Sequence, residues 1–363
     1  MKVLLIYPPI DVAVPAKSTL LGLGYLANVL RRGGHQVEIR DLISDSKFQD
    51  FRGYDAICVS AMFTNTKESL YNFLNYVSTV FPLIHLIVGG SHASTFPEEV
   101  IEYCDTVVCG EGEEVICNII ENHTEGIIRT ERIRDLDKLP FPAWDLMWKD
   151  IKEINRRNRK TPFHIRKPFI HMITSRGCPN ACTFCAVKVA WGRMWIPRSA
   201  DNVVEEIESL YSLGFREIHF NDDNCSINKE RMYRICELIL KKRINIKIAC
   251  PTGIHIATLD KSLLTLMKKA GFYRLCFGIE TGSLELQKRI KKNINLEKAK
   301  QVIRDANDLG YWTSATFIFG FPRETEQDRR DTMDFIKDSQ MDFPILYTLI
   351  PQPRTEIYAE CVI

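Results

Sequence analysis

Short apolar runs alternate with amphipathic stretches over the first 122 residues of the chain. Apolar runs bounded by turn residues are typical of buried strands, and amphipathic stretches of this length are typical of surface helices. The strands are predicted at residues 3–7, 36–41, 56–60, 83–88 and 106–109, and the helices at residues 20–32, 66–80, 97–103 and 113–121. Strands separated by such helices pair in parallel and are covered on both faces. We therefore expect an α/β, doubly wound, Rossmann-like domain over residues 1–125.

The same alternation resumes near residue 168. Strands are predicted at residues 169–174, 217–220, 246–250, 274–278, 313–319 and 345–349, and helices at residues 200–213, 229–241, 261–270, 297–309 and 324–340. Strands with helices between them fit an incomplete TIM-type (β/α)6 barrel over residues 168–363, with chemistry at the carboxyl ends of the strands. Residues 126–167 have weaker periodicity and are locally basic, so we expect an interdomain linker there.

Composition narrows the class of protein. The 363 residues suit two domains, with 45% hydrophobic and 26% charged residues. A net charge of +2 gives no electrostatic basis for binding DNA. No apolar run approaches the length of a membrane span, and the first one is too short for a secretory signal. Twelve cysteines without such a signal indicate reduced thiols, and we expect a cytoplasmic protein.

Three of these cysteines carry the strongest chemical signal. Cys178, Cys182 and Cys185 follow the first strand of the second half with the spacing C-x3-C-x2-C. Thiolates on one tight loop can hold a [4Fe–4S] cluster, and a loop with three of them leaves one iron open. Two alternatives remain: three buried free thiols, or a zinc site completed by a distant cysteine. The candidates for that fourth ligand are Cys225, Cys250 and Cys276.

Polar and small residues follow other strands, where the ligand of a parallel sheet is expected. In the second half, Asp222 and Asp223 follow one strand, and Glu280 and Ser283 follow another. In the first half, three loops stand at strand ends, and their small residues let a ligand approach the backbone. The residues of these loops are Ser60 and Thr64, then Gly89, Gly90 and Ser91, and finally Gly110, Glu111 and Gly112.

The second half resembles the radical S-adenosylmethionine (SAM) superfamily over about residues 168–358. The matching features are the three cysteines, the aromatic Phe184 before the third, and the polar strand ends. The resemblance implies that SAM chelates the open iron and is cleaved reductively to a 5′-deoxyadenosyl radical. It also implies that Asp222 and Asp223 contact the SAM amino group, that Glu280 and Ser283 contact other polar groups, and that Phe184 packs by adenine.

Residues 1–145 are similar to the cobalamin-binding domain of class B radical SAM enzymes. The similarity lies in the opening strand, the helix with Gly22 and Gly24, the Gly89-Gly90-Ser91-His92 and Gly110-Glu111-Gly112-Glu113 loops, and the segment 139–144. It implies cobalamin held at the three strand-end loops. The Asp-x-His-x-x-Gly motif that supplies histidine to cobalt in many corrinoid proteins does not occur in the sequence. We therefore expect cobalamin without a histidine lower ligand, and His92 as a loop residue.

These resemblances imply a [4Fe–4S] cluster, SAM and cobalamin, and a methyltransferase acting on an unactivated carbon. The alternatives are a radical cyclase or rearrangement enzyme, a methylthiotransferase, and a non-catalytic corrinoid or iron–sulfur binding protein. The expected partners are a small-molecule or peptide substrate, a low-potential electron donor such as flavodoxin or ferredoxin, and a partner supplying a substrate cap. No residue is assigned as the catalytic acid or base.

Overall fold

A computed structural model describes residues 1–10, 19–43, 50–157 and 164–362 of the chain. The chain divides into two compact units, residues 1–161 and residues 162–363. Within the described ranges, no helix is both long enough and apolar enough to cross a membrane.

The first unit is built on a six-stranded parallel sheet with the order β2-β1-β3-β4-β5-β6. The chain therefore reverses its direction of winding between β1 and β3, the place where doubly wound sheets bind ligands. The strands are β1 (Lys2–Tyr7), β2 (Gln36–Asp41), β3 (Ala56–Ser60), β4 (His85–Gly89), β5 (Thr106–Cys109) and β6 (Gly126–Arg129).

Helices cover this sheet because their apolar stripes face its buried strands. On one side, α2 contributes Leu70, Phe73, Leu74 and Val77 to a core that also holds Phe51. The helices are α1 (Leu21–Arg32), α2 (Lys67–Val80), α3 (Ser91–Thr95), α4 (Pro97–Val100), α5 (Ile116–Glu121) and α6 (Trp148–Arg157).

Gly24 in α1 is required by close packing. A Cβ atom built there would lie 2.6 Å from Met147 Cε and 2.9 Å from Pro142 Cβ. The backbone N–H of Ala143 donates to the carbonyl of Gly24 at 2.9 Å, and Asn28 Nδ2 donates to the carbonyl of Phe141 at 2.7 Å. The segment 139–144 is thus fixed on α1.

The second unit contains another six-stranded parallel sheet, ordered β14-β13-β12-β11-β10-β7, so its strands lie side by side in chain order, and a small hairpin of β8 and β9. Sequential parallel strands with helices between them form the wall of a partial barrel. The strands are β7 (Phe169–Met172), β8 (Ser175–Arg176), β9 (Ile196–Pro197), β10 (Glu217–Phe220), β11 (Lys247–Ile254), β12 (Phe272–Glu280), β13 (Trp312–Phe319) and β14 (Phe343–Thr348).

Side-chain caps set the starts of nearly all helices in the second unit. Each capping oxygen accepts an N–H of the first turn, which no carbonyl of the helix reaches; Thr325 and Asp328 form a full capping box. The other caps are Ser199, Asn228, Asp260, Ser283, Asn295 and Thr355. The helices are α7 (Val187–Trp191), α8 (Ala200–Ser212), α9 (Lys229–Lys241), α10 (Lys261–Lys269), α11 (Leu284–Arg289), α12 (Leu296–Asp308), α13 (Glu326–Ser339) and α14 (Glu356–Cys361).

The predicted fold class is confirmed, with differences in detail. The sequence pattern missed β6, whose exposed and half-buried residues give it no apolar run. It also missed α6 in the segment predicted as a linker, although Ile151 and Ile154 of that helix are 2% exposed. The strand predicted at 246–250 continues through Pro251 to Ile254.

Two helix-to-strand turns allow a matched test of backbone strain. Gly271 has φ +106°, and a Cβ atom built there would lie 2.1 Å from the carbonyl oxygen of Ile246. Gly214 has a similar φ of +100°, but a Cβ atom built there would have no neighbouring atom of the described residues within 4 Å. We expect Gly214→Ala to lower the free energy of unfolding by about 1 kcal/mol through strain alone. We expect Gly271→Ala to cost about 1–3 kcal/mol more through overlap. Urea denaturation measures both, and equal losses would contradict the packing described.

Candidate functional site

The cysteine loop begins after β7, at the carboxyl end of the barrel strands. Cys182 is 6% exposed, and Cys178 and Cys185 are half-buried. Between them, the N–H of Thr183 donates to the carbonyl of Ile290 at 3.0 Å, and the carbonyl of Thr183 accepts from Ile357 at 3.1 Å. The middle of the loop is therefore held on both sides by other parts of the unit.

Phe184 turns its ring to an apolar group at the same end of the barrel. Its ring centroid lies 5.7 Å from that of Phe321 in an edge-to-face arrangement. Leu286, Ile290 and Ile357 complete this group. The contact with adenine that the resemblance implies for Phe184 remains a prediction.

The three thiols are not gathered around one point as the ligands of a single zinc ion would be. Thiolates about 2.3 Å from one zinc lie at most about 4.6 Å apart. In the described part of the chain, the three sulfur atoms are not among the groups of ligand atoms that lie within 4.8 Å of one another. Ligands of separate irons stand further apart. Cys225, a candidate fourth zinc ligand, is fully buried and directed to Cys250, with the two Sγ atoms 3.8 Å apart.

Asp222 holds the start of the cysteine loop. Its carboxylate accepts from the backbone N–H of Thr174 at 2.7 Å and of Ser175 at 2.8 Å, and from the Thr174 hydroxyl at 3.0 Å. The residue is 1% exposed, and burial raises the pKa of this carboxyl to about 6, against the opposing charge of Arg231. With its oxygens so occupied, Asp222 fits a positioning role better than the contact with the SAM amino group expected from the resemblance.

Two neighbours of Asp222 hold the same loop. Asp223 Oδ2 accepts from the N–H of Gly177 at 2.8 Å, directly before Cys178. Arg231 donates to the carbonyl of Thr174 at 2.6 Å and to that of Cys225 at 3.2 Å. Charge-assisted bonds of this kind are the strong ones, so the path of the chain into the loop is fixed.

Glu280 presents a carboxylate at the end of β12. Its φ of +69° is unusual for a residue with a side chain, and a register shift between β12 and β13 occurs at the same point. Oε1 lies 3.0 Å from Lys292 Nζ, and Oε2 accepts from the Thr316 hydroxyl at 3.1 Å. A Cβ at Gly278 would lie 2.7 Å from Glu280 Oε1 and 3.0 Å from Lys292 Nζ. Glycine thus leaves room for this ion pair.

Lys292 links the ion pair to the cysteine loop electrostatically. Burial opposes its charge, but the charge and hydrogen bond of the Glu280 carboxylate outweigh burial and raise its pKa. Burial also raises the pKa of Cys182, against the opposing effect of Lys292, and raises the pKa of Cys185 to about 11. Burial therefore favours the neutral thiols of Cys182 and Cys185, and binding iron would release their protons.

Several buried polar atoms at these strand ends find no hydrogen-bond partner among the described residues. They are Oδ1 of Asn221 and of Asn224 after β10, and Nδ1 of His255 after β11. Such atoms are costly when left unpaired, so they suit a site that a polar ligand completes. Together with the ion pair and the three thiols, they fit a [4Fe–4S] cluster with SAM.

Sequence reasoning missed Lys292, Thr316 and His255. Lys292 lies beside Lys291 after α11, where basic residues are ordinary helix-end charges. His255 was hidden because the strand before it was predicted to end four residues too early. Ser283, which was predicted as a SAM contact, is 1% exposed; it caps α11 and donates to Asp328 Oδ1 at 2.5 Å.

In the first unit, the predicted loops also meet at the carboxyl edge of the sheet. Gly90 has φ +109°, and a Cβ there would lie 2.5 Å from the carbonyl oxygen of Ala61. Gly110 has φ +105°, and its Cβ would lie 2.5 Å from Thr130 Oγ1. Ser91 donates its hydroxyl to the carbonyl of Met62. Gly90 and Gly110 are therefore required by loop-to-loop packing, whereas Gly89 and Gly112 are less crowded.

Glu111 and His92 face inward. The Glu111 carboxylate accepts from Arg132 Nε and from the N–H of Ile133, both at 2.8 Å, so it fixes the chain after β6. His92 is 1% exposed, with Nε2 3.0 Å from the Tyr71 hydroxyl and Nδ1 3.2 Å from the Thr64 hydroxyl. With both nitrogens engaged, His92 has none left for cobalt.

Exposed apolar side chains mark the same edge beside the switch point. Met62 and Phe63 follow Ser60, the last residue of β3, after the buried Ala61, and they are 42% and 53% exposed. Adjacent large apolar side chains at the ligand edge of a doubly wound sheet suit the face of a large, flat ligand. The edge therefore fits cobalamin, and no described histidine beside it has a free nitrogen.

The Asp222 geometry gives a specific expectation for mutagenesis. Asp222→Ala leaves the buried N–H groups of Thr174 and Ser175 unpaired, at about 1–3 kcal/mol each, so the loop loses its fixed start. We expect lower iron and sulfide content after anaerobic reconstitution, and partial recovery in Asp222→Asn, which keeps one acceptor oxygen. Full cluster content in Asp222→Ala with weakened SAM binding would instead make Asp222 a direct SAM ligand.

Comparison with known proteins matches both units. Residues 172–336 match the model of the radical SAM superfamily, and residues 10–120 match that of the B12 binding domain. An uncharacterized methyltransferase, PH0819, of Pyrococcus horikoshii is 28% identical, covering 99% of this chain and 82% of that protein. The cytidylyl-2-hydroxyethylphosphonate methyltransferase of Streptomyces wedmorensis is 25% identical with the same coverage of both chains.

A solved structure has the same fold. The radical SAM methyltransferase TsrM from Kitasatospora setae, with cobalamin and a [4Fe–4S] cluster bound, superposes with a TM-score of 0.79 and 20% identity. The superposition covers 99% of this chain and 77% of TsrM. The two family models between them match both units, and the two relatives align over nearly the whole chain. This protein therefore belongs to the class B radical SAM family.

Proposed function

We propose that the protein is a cobalamin-dependent radical SAM methyltransferase that acts on an unactivated carbon. The observation that carries the proposal is one chain with two units. The partial barrel has three loop thiols beside an ion pair, and the ligand edge of the doubly wound unit offers no free histidine among its described residues. When bound, the cluster and SAM supply a 5′-deoxyadenosyl radical, and cobalamin supplies the methyl group.

The residues of the barrel have separate tasks in this proposal. Cys178, Cys182 and Cys185 hold the cluster, while Asp222 and Asp223 fix the loop that carries them. Glu280 and Lys292 form a pair of opposite charges 3.0 Å apart. The methionine end of SAM is a zwitterion, so its ammonium complements Glu280 and its carboxylate complements Lys292. Such a site orients SAM without adding net charge to the barrel.

The first unit would hold the corrinoid at the carboxyl edge of its sheet. Met62 and Phe63 offer apolar surface there, and Ser60 and Gly89 lie at neighbouring strand ends. Because His92 is engaged on both nitrogens, the lower face of the cobalt would carry no histidine. A wide range of methyl acceptors is compatible with this arrangement, including small molecules and peptides, and a flavodoxin or ferredoxin would supply electrons.

A methylthiotransferase fits less well because it needs a second cluster. The cysteines available for one are Cys58, Cys104, Cys109 and Cys117. Cys58 and Cys109 are 5% and 8% exposed in the sheet, and burial raises the pKa of Cys58 and of Cys104 to about 12. They are packing residues in this fold.

The cluster assignment is tested by single cysteine variants. We expect Cys182→Ala to abolish reductive cleavage of SAM to 5′-deoxyadenosine in anaerobically reconstituted protein, because the cluster loses one of its three protein ligands. Chromatography with mass spectrometry measures the product. Cys225→Ala is the matched control, a buried thiol directed to Cys250, and it should retain cleavage. Unchanged cleavage in Cys182→Ala would refute the assignment.

The SAM-orienting role is tested by two adjacent lysines. Lys292 is paired with Glu280 in the barrel, whereas Lys291 is paired with Glu356 at the surface. We expect Lys292→Met to raise the Kd for SAM roughly 10- to 100-fold, through loss of an interaction of about 1.5–3 kcal/mol. Lys291→Met should leave the Kd unchanged. Isothermal titration calorimetry on cluster-loaded protein measures both values, and equal Kd values would place SAM elsewhere.

A further inference from the structure

A second group of metal-ligating side chains lies at the opposite end of the barrel from the cysteine loop. Glu217 is the first residue of β10, His219 is on the same strand two residues later, and His164 precedes β7. Tyr273 stands at the amino end of β12. One ligand atom from each of His164, Glu217 and His219 lies within 4.8 Å of the other two.

The Glu217 carboxylate is the centre of this group. Oε2 accepts from the backbone N–H of Ile165 at 2.9 Å and of Arg166 at 2.7 Å. Oε1 lies 2.7 Å from His219 Nε2 and accepts from the Tyr273 hydroxyl at 2.6 Å. One oxygen is therefore fixed by the backbone, and the other faces the imidazole rings.

His164 is the unexplained member. Its side chain is 8% exposed, and its Nδ1 has no hydrogen-bond partner among the described residues. Nδ1 stands 3.7 Å from Glu217 Oε1, which is too far for a hydrogen bond. The ring stacks on Phe169 with centroids 3.8 Å apart, so its direction is set. A buried nitrogen aimed at a carboxylate beyond bonding distance leaves room for an ion between them.

The groups around this site are a carboxylate, imidazole rings and one nearby guanidinium. The Glu217 side chain is fully buried. The His171 ring lies edge-to-face on that of His219, with centroids 5.5 Å apart, and Arg274 is the charged group that also faces His219 and Tyr273. Imidazole nitrogen and carboxylate oxygen are both ligands that zinc takes.

We propose that His164, Glu217 and His219 form a structural site for a divalent transition-metal ion of the zinc type. Zinc takes imidazole nitrogen and carboxylate oxygen at about 2.0–2.2 Å, so two such ligands lie up to about 4 Å apart. The 3.7 Å between His164 Nδ1 and Glu217 Oε1 is within that limit, and the ion would replace the direct hydrogen bond of 2.7 Å between His219 Nε2 and Oε1. Binding places the proton of His219 on Nδ1 and that of His164 on Nε2. The Tyr273 hydroxyl and the two backbone N–H groups orient the carboxylate.

The site would stabilise the barrel and take no part in its chemistry. Active sites of such barrels lie at the carboxyl ends of the strands, and the amino ends serve stability. The ion would join the chain just before β7 to β10, and so close the first βα unit at its base. This role is independent of the proposed methyltransferase activity.

The test measures zinc in the holoprotein, with the cysteine loop already loaded with its cluster. After exposure to zinc chloride and desalting, we expect about one zinc ion per chain by elemental analysis. X-ray absorption at the zinc edge should show only nitrogen and oxygen neighbours near 2.0–2.1 Å; sulfur at about 2.3 Å would place the zinc on cysteines and overturn the proposal.

Variants locate the site. His164→Ala and His219→Ala should lose the zinc, and the matched control His85→Ala should keep it. His85 is also buried, with its Nε2 2.7 Å from Thr106 Oγ1 and its Nδ1 unpartnered, but it belongs to the first unit. Should the variants fail to fold, the wild type still decides. Its melting temperature should fall on chelation and recover with zinc, and a wild type that retains no zinc refutes the site.

Discussion

The buried carboxylate of Asp222 is the interaction on which the barrel site depends. It gathers the N–H groups of Thr174 and Ser175 at the point where the chain leaves β7 for the cysteine loop. Burying a carboxylate is costly unless hydrogen bonds and a counter-charge compensate it. Both are present, since Arg231 lies near the carboxylate and binds the carbonyl of Thr174. The loop is therefore already ordered before the thiols bind a cluster, and this order lowers the entropic cost of binding.

Both units use the same property of parallel sheets, with ligand surfaces of different polarity. Strand ends bring loops from distant parts of the sequence to one edge, where backbone and side chains leave a ligand-sized surface. In the barrel that surface is polar and charged, with Glu280 and Lys292 at its centre. In the first unit it is apolar, with Met62 and Phe63 exposed. Each surface matches the character of the cofactor that the family assigns to it.

The sequence carried the fold class and the cysteine motif, because periodicity and short spacing are local properties. It did not carry the direction of side chains. Glu111 and Ser283 stand in loops at strand ends, as predicted, yet their polar atoms face the protein and stabilise it. Gly90 was expected to make room for a ligand. The structure shows instead that a side chain at this position would overlap the backbone of Ala61. Lys292 gave no signal, since its importance comes from a long-range contact with Glu280.

The central claim is that one chain uses SAM together with a corrinoid. The most direct test is anaerobic incubation of the reconstituted protein with hydroxocobalamin, a reductant and SAM labelled with deuterium in its methyl group, followed by desalting and mass spectrometry of the protein-bound corrinoid. The account predicts labelled methylcobalamin that elutes with the protein and has a spectrum without histidine ligation. A protein that retains no corrinoid, or retains it without the label, would contradict the account.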